Sequence, residues 1–421
     1  MTSEILPRPS WGLLKRFGVE IEYTIVSRDD LSVRPLSPLL ICGRSASPTE
    51  TKPSPKIAWT NELASHVIEL KTDKPSKTLH GLASDFQSHV KALNSELEPE
   101  GAMLLGGGMH PLMNPKAETV LWPHGAGEIY ALFDRIFNCS QHGWSNIQST
   151  HLNLSFKGDE EFGCLHAALR LLVPIIPILA ASSPVVEARV TGWVDTRMKY
   201  YQTHTSPISF ITGDVVPEPI FDQATYFNQI MKPIYAQLKP WDPTGIIAHE
   251  WANARGAIPR FDRGSIELRV IDCQESPVAD LALCCACVAV IEALVSQKWT
   301  CLKDQMSVPT SCLKSLMQDC VKEGSKVKVT DESILRQFGI TAKPHGLSGS
   351  LLWQHLNKEA VSQEIRGQED LESAWKVILE QGSLSERIIR TLGTRSSKKR
   401  LMDVYFELAQ CLGSGTMFVG V

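Results

Sequence analysis

In a β-strand, residues two apart share a face. Four segments use that period to set polar and ionisable groups against apolar backs. In Gly18-Val19-Glu20-Ile21-Glu22-Tyr23, Glu20 and Glu22 oppose Val19, Ile21 and Tyr23. Val67-Ile68-Glu69-Leu70 sets Glu69 between Ile68 and Leu70. Thr150-His151-Leu152-Asn153-Leu154-Ser155-Phe156 sets His151, Asn153 and Ser155 against Leu152, Leu154 and Phe156. Ser265-Ile266-Glu267-Leu268-Arg269-Val270 sets Glu267 and Arg269 against Ile266, Leu268 and Val270. Carboxylates gathered at one place repel and resist desolvation. A hard divalent cation removes that obstacle, and Mg²⁺ favours a few carboxylates together with substrate phosphates. The pattern points to a sheet lining a funnel, with Mg²⁺ held by Glu20, Glu22, Glu69, Glu267 and His151. An antiparallel sheet with one wet face gives the same alternation. The residues alone weigh evenly between the two.

The elements that must position these groups follow from periodicity. Strands are expected over 17–26, 64–71, 103–108, 149–156 and 265–272, and helices over 78–97, 127–137, 160–181 and 278–297. A proline-rich loop is expected over 27–56, and irregular loops with short helices over 185–243. From about residue 299 the pattern is mostly helical, broken near 323–329, 343–350 and 394–399. The run Arg395–Arg400 reads as a solvated loop. The expected organisation is a catalytic core over 1–298 and a mostly helical extension over 299–421 packed on it.

Composition narrows the function classes. The chain has 421 residues, a net charge of −4, 43% hydrophobic and 21% charged residues. That is globular and not disordered or fibrous. The near-balanced charge leaves no electrostatic footprint for nucleic acid. Eleven cysteines without metal-site spacing read as reduced, mostly buried thiols. Residues 1–11 lack the pattern of a signal peptide. The apolar stretches 165–181 and 278–295 carry prolines or charges and read as core helices, not membrane spans. A cytoplasmic location is expected, with neither a membrane nor a nucleic acid as partner, and a homo-oligomer is left open.

Five motifs, in order, resemble one family. Phe17-Gly18-Val19-Glu20-Ile21-Glu22 is similar to the opening Gly-Val-Glu-x-Glu of the type 2 glutamate–cysteine ligases and related carboxylate–amine ligases. Gly108-Met109-His110-Pro111 resembles their Gly-x-His-Pro turn. Thr150-His151-Leu152-Asn153 lies where they carry a His-x-His strand. Ala181-Ser182-Ser183-Pro184, with Gly192 and Arg197, resembles their Ala-x-Ser-Pro segment. Gly264–Arg269 resembles their late Glu-x-Arg strand. The set spans about 15–295.

The resemblance implies an α+β fold: a curved, mainly antiparallel sheet forming a glutamine-synthetase-like funnel, packed with helices. It implies an enzyme using ATP and Mg²⁺ to join an amino-acid carboxylate, glutamate by default, to an amine through an acyl phosphate. The amine would be cysteine, another amino acid or a peptide terminus. Glu20, Glu22, Glu69 and Glu267 become metal ligands, and His151 a ligand or phosphate contact. Arg269 stabilises the transferring phosphoryl group. Arg197 clamps a substrate carboxylate, or forms a surface ion pair. Arg255, Arg260 and Arg263, with Asn153, meet the nucleotide; a solvated basic loop is the other reading of the arginines. His110 shapes the pocket or makes a structural bend. Asn153 replaces the second histidine, and the 27–56 loop is unusual. Two rivals remain: a phosphotransferase on the same fold, and an inactive metabolite-binding relative. The triple glycine 106–108, Ser182-Ser183 and the thiols of Cys139, Cys164 and Cys273 read as structural. His142, Trp144, Trp241, His249 and Trp251 read as pocket wall or core.

Overall fold

Apolar alternation builds one antiparallel sheet in the computed structural model, which describes residues 11–43, 49–341, 345–393 and 397–420. Its strands are β1 (Phe17–Ser27), β2 (Thr51–Lys52), β3 (Ile57–Asn61), β4 (Val67–Thr72), β5 (Ala102–Leu105), β6 (Ser149–Ser155), β7 (Ala257–Arg260) and β8 (Ser265–Asp272). The order across the sheet is β2-β3-β4-β1-β6-β8-β7, and β5 pairs with the second half of β1. All pairings in this sheet are antiparallel. The fold is α+β, as expected.

Val19, Ile21, Tyr23, Ile68, Leu70, Leu152, Leu154, Ile266 and Leu268 are completely buried on the apolar face. They share one core with helices Leu82–Leu97, Gly158–Leu172 and Pro277–Val295. Each such side chain contributes roughly 1.5–3 kcal/mol on burial. A one-residue slip would turn a whole strand's set outward, so the register is firmly held.

Several boundaries move. The 27–56 segment is not one loop: it holds helix Ser37–Cys42 and strand β2, with β3 directly after it. Pro174 and Pro177 end the expected 160–181 helix at Leu172, and shorter turns follow. The break at 323–329 is a short turn over Gly324–Lys326. Residues 1–10, 44–48, 342–344, 394–396 and 421 lie outside the described residues, Pro48 of the proline-rich segment among them. The N-terminal reading and Arg395 of the charge run lie there too. The rest of that run, from Lys398, starts helix Lys398–Ser414.

Helix Pro277–Val295 is long and apolar enough to cross a membrane, but most of it is buried inside the protein. Its Asp280 accepts a 2.5 Å hydrogen bond from Thr150, and burial pushes its carboxyl up to about 8. C-terminal helix Glu369–Gln381 packs on this helix, and Lys398–Ser414 packs on β5 and on helix Leu82–Leu97. A completely buried Arg387–Glu275 ion pair ties helix Leu384–Leu392 to the segment after β8. All eleven cysteines are free thiols. Burial raises the Cys139, Cys164 and Cys273 thiols, which does not suit a nucleophile.

Candidate active site

Register explains why residues distant in sequence meet. Glu22 pairs across with Glu69, and Glu20 with both Lys71 and His151. Asn153 pairs with Gly18 on one side and Glu267 on the other. Opposed residues hold their Cβ atoms about 5 Å apart, so one row of the sheet collects these groups on a single face. Gly18 fits the row because a Cβ there would approach that of Asn153 to 3.2 Å. A register shift after Leu268 falls at Arg269, the kind of irregularity that re-aims a side chain.

Above this face lies a cleft of about 540 Å³. Glu20, Glu22, Glu69, Glu267, His151, Arg197, Arg260, Arg263 and Arg269 all border it. His151 sits among three carboxylates, 3.5 Å from Glu20, 3.8 Å from Glu22 and 3.8 Å from Glu267. Its Nε2 is 2.9 Å from Ser149 Oγ, and the Ser149 amide donates to Glu22 at 2.7 Å. Burial is the largest single influence on His151 and opposes its charge, but the hydrogen bond to Glu20 and the charges of Glu22 and Glu267 together raise its pKa. Burial likewise favours neutral Glu20, yet His151 and Lys71 hold that carboxyl down at about 2. Glu69 goes the other way, to about 7, through burial and the nearby Glu20. Glu267 is held by Arg260 at 3.1 Å and Arg269 at 2.8 Å.

Two ligand groups stand out. Glu20, Glu69 and His151 offer atoms within 4.8 Å of one another, and so do Glu22, Glu62 and Glu69. The donor set is carboxylate oxygen with one imidazole nitrogen, which suits a hard divalent cation. Burial and the charges of Glu22 and Glu69 push the Glu62 carboxyl well up. A cation would relieve that strain.

Three of the expected residues are engaged by protein partners, and one of them, Arg197, also borders the cleft. Arg255 is neither in a solvated loop nor at the cleft: its fork is fully buried and bound to Glu218 at 2.6 and 2.7 Å. Asn153 does not border the cleft; its amide donates to Glu20 at 3.1 Å. Arg197 is no surface pair, being 1% exposed with its Nε on Asp272. Its Nη2 donates to the Arg269 carbonyl at 3.2 Å. Asp272 also accepts from the Ser182 amide and the Ser183 hydroxyl, both at 2.8 Å. The Ala181–Pro184 motif and Arg197 are thus wired to the end of β8. At Gly108 an added Cβ would meet the Asp272 side chain at 2.5 Å, which explains the glycine. His110 makes the structural bend: its Nε2 is 2.7 Å from the Leu31 carbonyl, and burial lowers its pKa to about 4. His142 faces Glu187, while Trp144 and Trp251 line the cleft and Phe133 packs between them.

Glu62, Lys71, Tyr130 and Tyr201 also border the cleft, and Thr60 supports Glu69 beside it. Lys71 was within reach of the strand pattern, two residues beyond Glu69 on the same face, and it lies 3.3 Å from Glu69. Thr60 donates to Glu69 at 2.5 Å from β3, a strand that the proline-rich context hid. Glu62 and Tyr201 carry no periodic mark.

The model of glutamate–cysteine ligase family 2 matches residues 16–403. The chain belongs to that family. An uncharacterised protein of Archaeoglobus fulgidus is 30% identical over 365 residues, 86% of this chain and 89% of its own. A putative glutamate–cysteine ligase 2 of Nitrosospira multiformis is 24% identical over 190 residues, 43% of this chain and 46% of its own. The fold matches a glutamate–cysteine ligase of Francisella tularensis solved with AMP, at a TM-score of 0.57 and 12% identity, covering 96% and 90% of the two chains. It also matches a bifunctional glutathione synthetase of Pasteurella multocida, at 0.53 and 14%, covering 95% of this chain and 51% of that one. This glutamate–cysteine ligase family member is an ATP-dependent carboxylate–amine ligase.

Proposed function

We propose that the enzyme joins an amino-acid carboxylate, with glutamate as the donor, to an amine through an acyl phosphate. The observation that carries this is the convergence of Glu20, Glu22, Glu69, Glu267 and His151 with Arg260 and Arg269 on one cleft. Phosphoryl transfer is catalysed mainly by positioning and by charge placed where charge builds. Arg269 and Arg260 present planar forks that suit phosphate or carboxylate oxygens. Glu267 orients both forks from beneath. His151, held by Glu20 and Ser149, lies at the centre as a ligand or phosphate contact. Arg263 stands at the rim, 49% exposed, where a nucleotide phosphate can reach it.

Glu20, Glu69 and His151, and Glu22, Glu62 and Glu69, are the residues that would hold Mg²⁺. When bound, Mg²⁺ supplies neutralisation of phosphate charge. Arg197 borders the cleft, where it can clamp a substrate carboxylate, and it also fixes the strand beneath Arg269. The amine is cysteine, another amino acid or a peptide terminus.

A phosphate-release screen tests the reading: ATP, Mg²⁺, each amino acid as donor and a panel of amines, with mass spectrometry of products. ADP and phosphate release that requires the amine, with an amide product, is expected. A stable phosphorylated product would replace the ligase by a kinase. Nucleotide binding without turnover on any pair would overturn the assignment of substrates.

A further inference from the structure

Among the described residues, three that border the cleft carry a buried side-chain atom without a hydrogen-bond partner: Tyr201 its hydroxyl, Arg260 its Nε and Arg269 its Nε. All three carry a hydrogen to donate. Arg269 Nε is 2.8 Å from Glu267 but out of line for a hydrogen bond. Unpartnered donors also occur in the core, but beside an open cleft they are satisfied when a ligand supplies acceptors.

Tyr201 differs from the two arginines in having no charge and no ion-pair partner. It is 6% exposed. Its ring stacks on His204 at 4.5 Å, and His204 in turn meets Trp144 at 4.8 Å. Those contacts fix the ring and leave the hydroxyl as the free end. Tyr201 closes helix Thr196–Tyr201. Arg197, four residues earlier, lies on the same helical face. The Arg197 side chain fastens that face to β8 through Asp272 and the Arg269 carbonyl. One arginine therefore sets the distance between the Tyr201 phenol and the Arg269 fork.

Resting on the ligase reading above, the geometry points to Tyr201 as a specificity-determining residue. Its hydroxyl donates to an anionic oxygen of the substrates, shared with Arg269, and Arg197 is the positioning residue for both. The oxygen belongs to the donor carboxylate or to the nucleotide's phosphates.

Tyr201→Phe tests this in the full chain, by steady-state phosphate release with glutamate, Mg-ATP and the best amine, beside thermal unfolding. A hydrogen bond to a charged group is lost, so kcat/KM is expected to fall about ten- to a hundredfold. The unfolding midpoint should hold or rise, because a buried unpaired hydroxyl is removed. A rise in KM for the donor assigns the oxygen to its carboxylate, and a rise in KM for ATP to the phosphates. A fall in kcat alone assigns it to the group in transfer. Tyr200→Phe, half-buried and away from the cleft, is expected to match wild type. Unchanged kinetics in Tyr201→Phe, or an activity loss matched by a lower midpoint, overturns the inference. If wild type turns over no pair, the substrate reading has failed by itself. Calorimetry with ADP and with glutamate then decides: weaker binding of either by Tyr201→Phe upholds the role, and equal binding of both overturns it.

Discussion

Glu267 and Asp272 are carboxylates of the same strand, both buried and both paired with arginine, yet they serve opposite ends. Asp272 is closed. Arg197, Ser182 and Ser183 satisfy it, and it is completely buried and does not border the cleft. Glu267 is open. Its two arginines keep unpartnered donors, its histidine serves two other acids, and about 540 Å³ of cleft lies over it. Buried charge by itself does not tell the two apart, nor do unfilled partners, which the structural Arg387–Glu275 pair also has; the cleft over Glu267 does.

The sharpest way to break this comparison is at Glu69, which belongs to both ligand groups. Glu69→Gln keeps shape and the Thr60 contact. Turnover is expected to fall at least about a thousandfold, a loss of about 4 kcal/mol in transition-state stabilisation. The unfolding midpoint should hold or rise as like charges are relieved. Wild-type turnover would remove Glu69 from the site.

Asp272→Ala should do the reverse of Glu69→Gln, acting first on the fold. Breaking a buried pair from one side strands the other charge and costs about 3–5 kcal/mol. Urea unfolding checks it, and an unaltered midpoint would mean that the hub is not structural. Arg269→Lys is smaller, about ten- to a hundredfold in kcat/KM, because a point charge cannot replace a planar fork. Its midpoint should barely move. Equal kinetics would leave phosphate contact to Arg260.

The smallest effect is one of pH. His166 is completely buried, and burial, with the charge of Arg170, lowers its pKa to about 3. Its unfolded value is about 6.5. Between those values the unfolded chain binds one more proton, so stability present above pH 6.5 is lost as pH falls. His166→Phe, set among Phe162, Phe221 and Tyr226, should flatten urea-derived stability against pH. The slope between pH 4 and 6 should drop by about 1.4 kcal/mol per unit. An unchanged slope would mean that His166 does not titrate differently on folding.

How much of this was legible follows from what each signal depends on. The rows Glu20-x-Glu22, Glu69, His151 and Glu267-x-Arg269 were legible because strand period is local and exact in its effect on side-chain facing. β3 was not, because the prolines before it mask a five-residue strand. Arg255 and Arg260 looked alike in sequence, five residues apart before β8. Glu218 closes one and Glu267 holds the other open, and nothing local separates them. Asn153 was legible as a departure, but its partner, Glu20, came only with the register.

By itself the sequence determined which side chains share a strand face and which family motifs they form, since both depend on residues within a few positions of one another. Only the tertiary structure decided which charges end up saturated. Partners such as Arg197 and Asp272, or Thr60 and Glu69, meet through sheet register and helix docking, and those come from packing the whole chain.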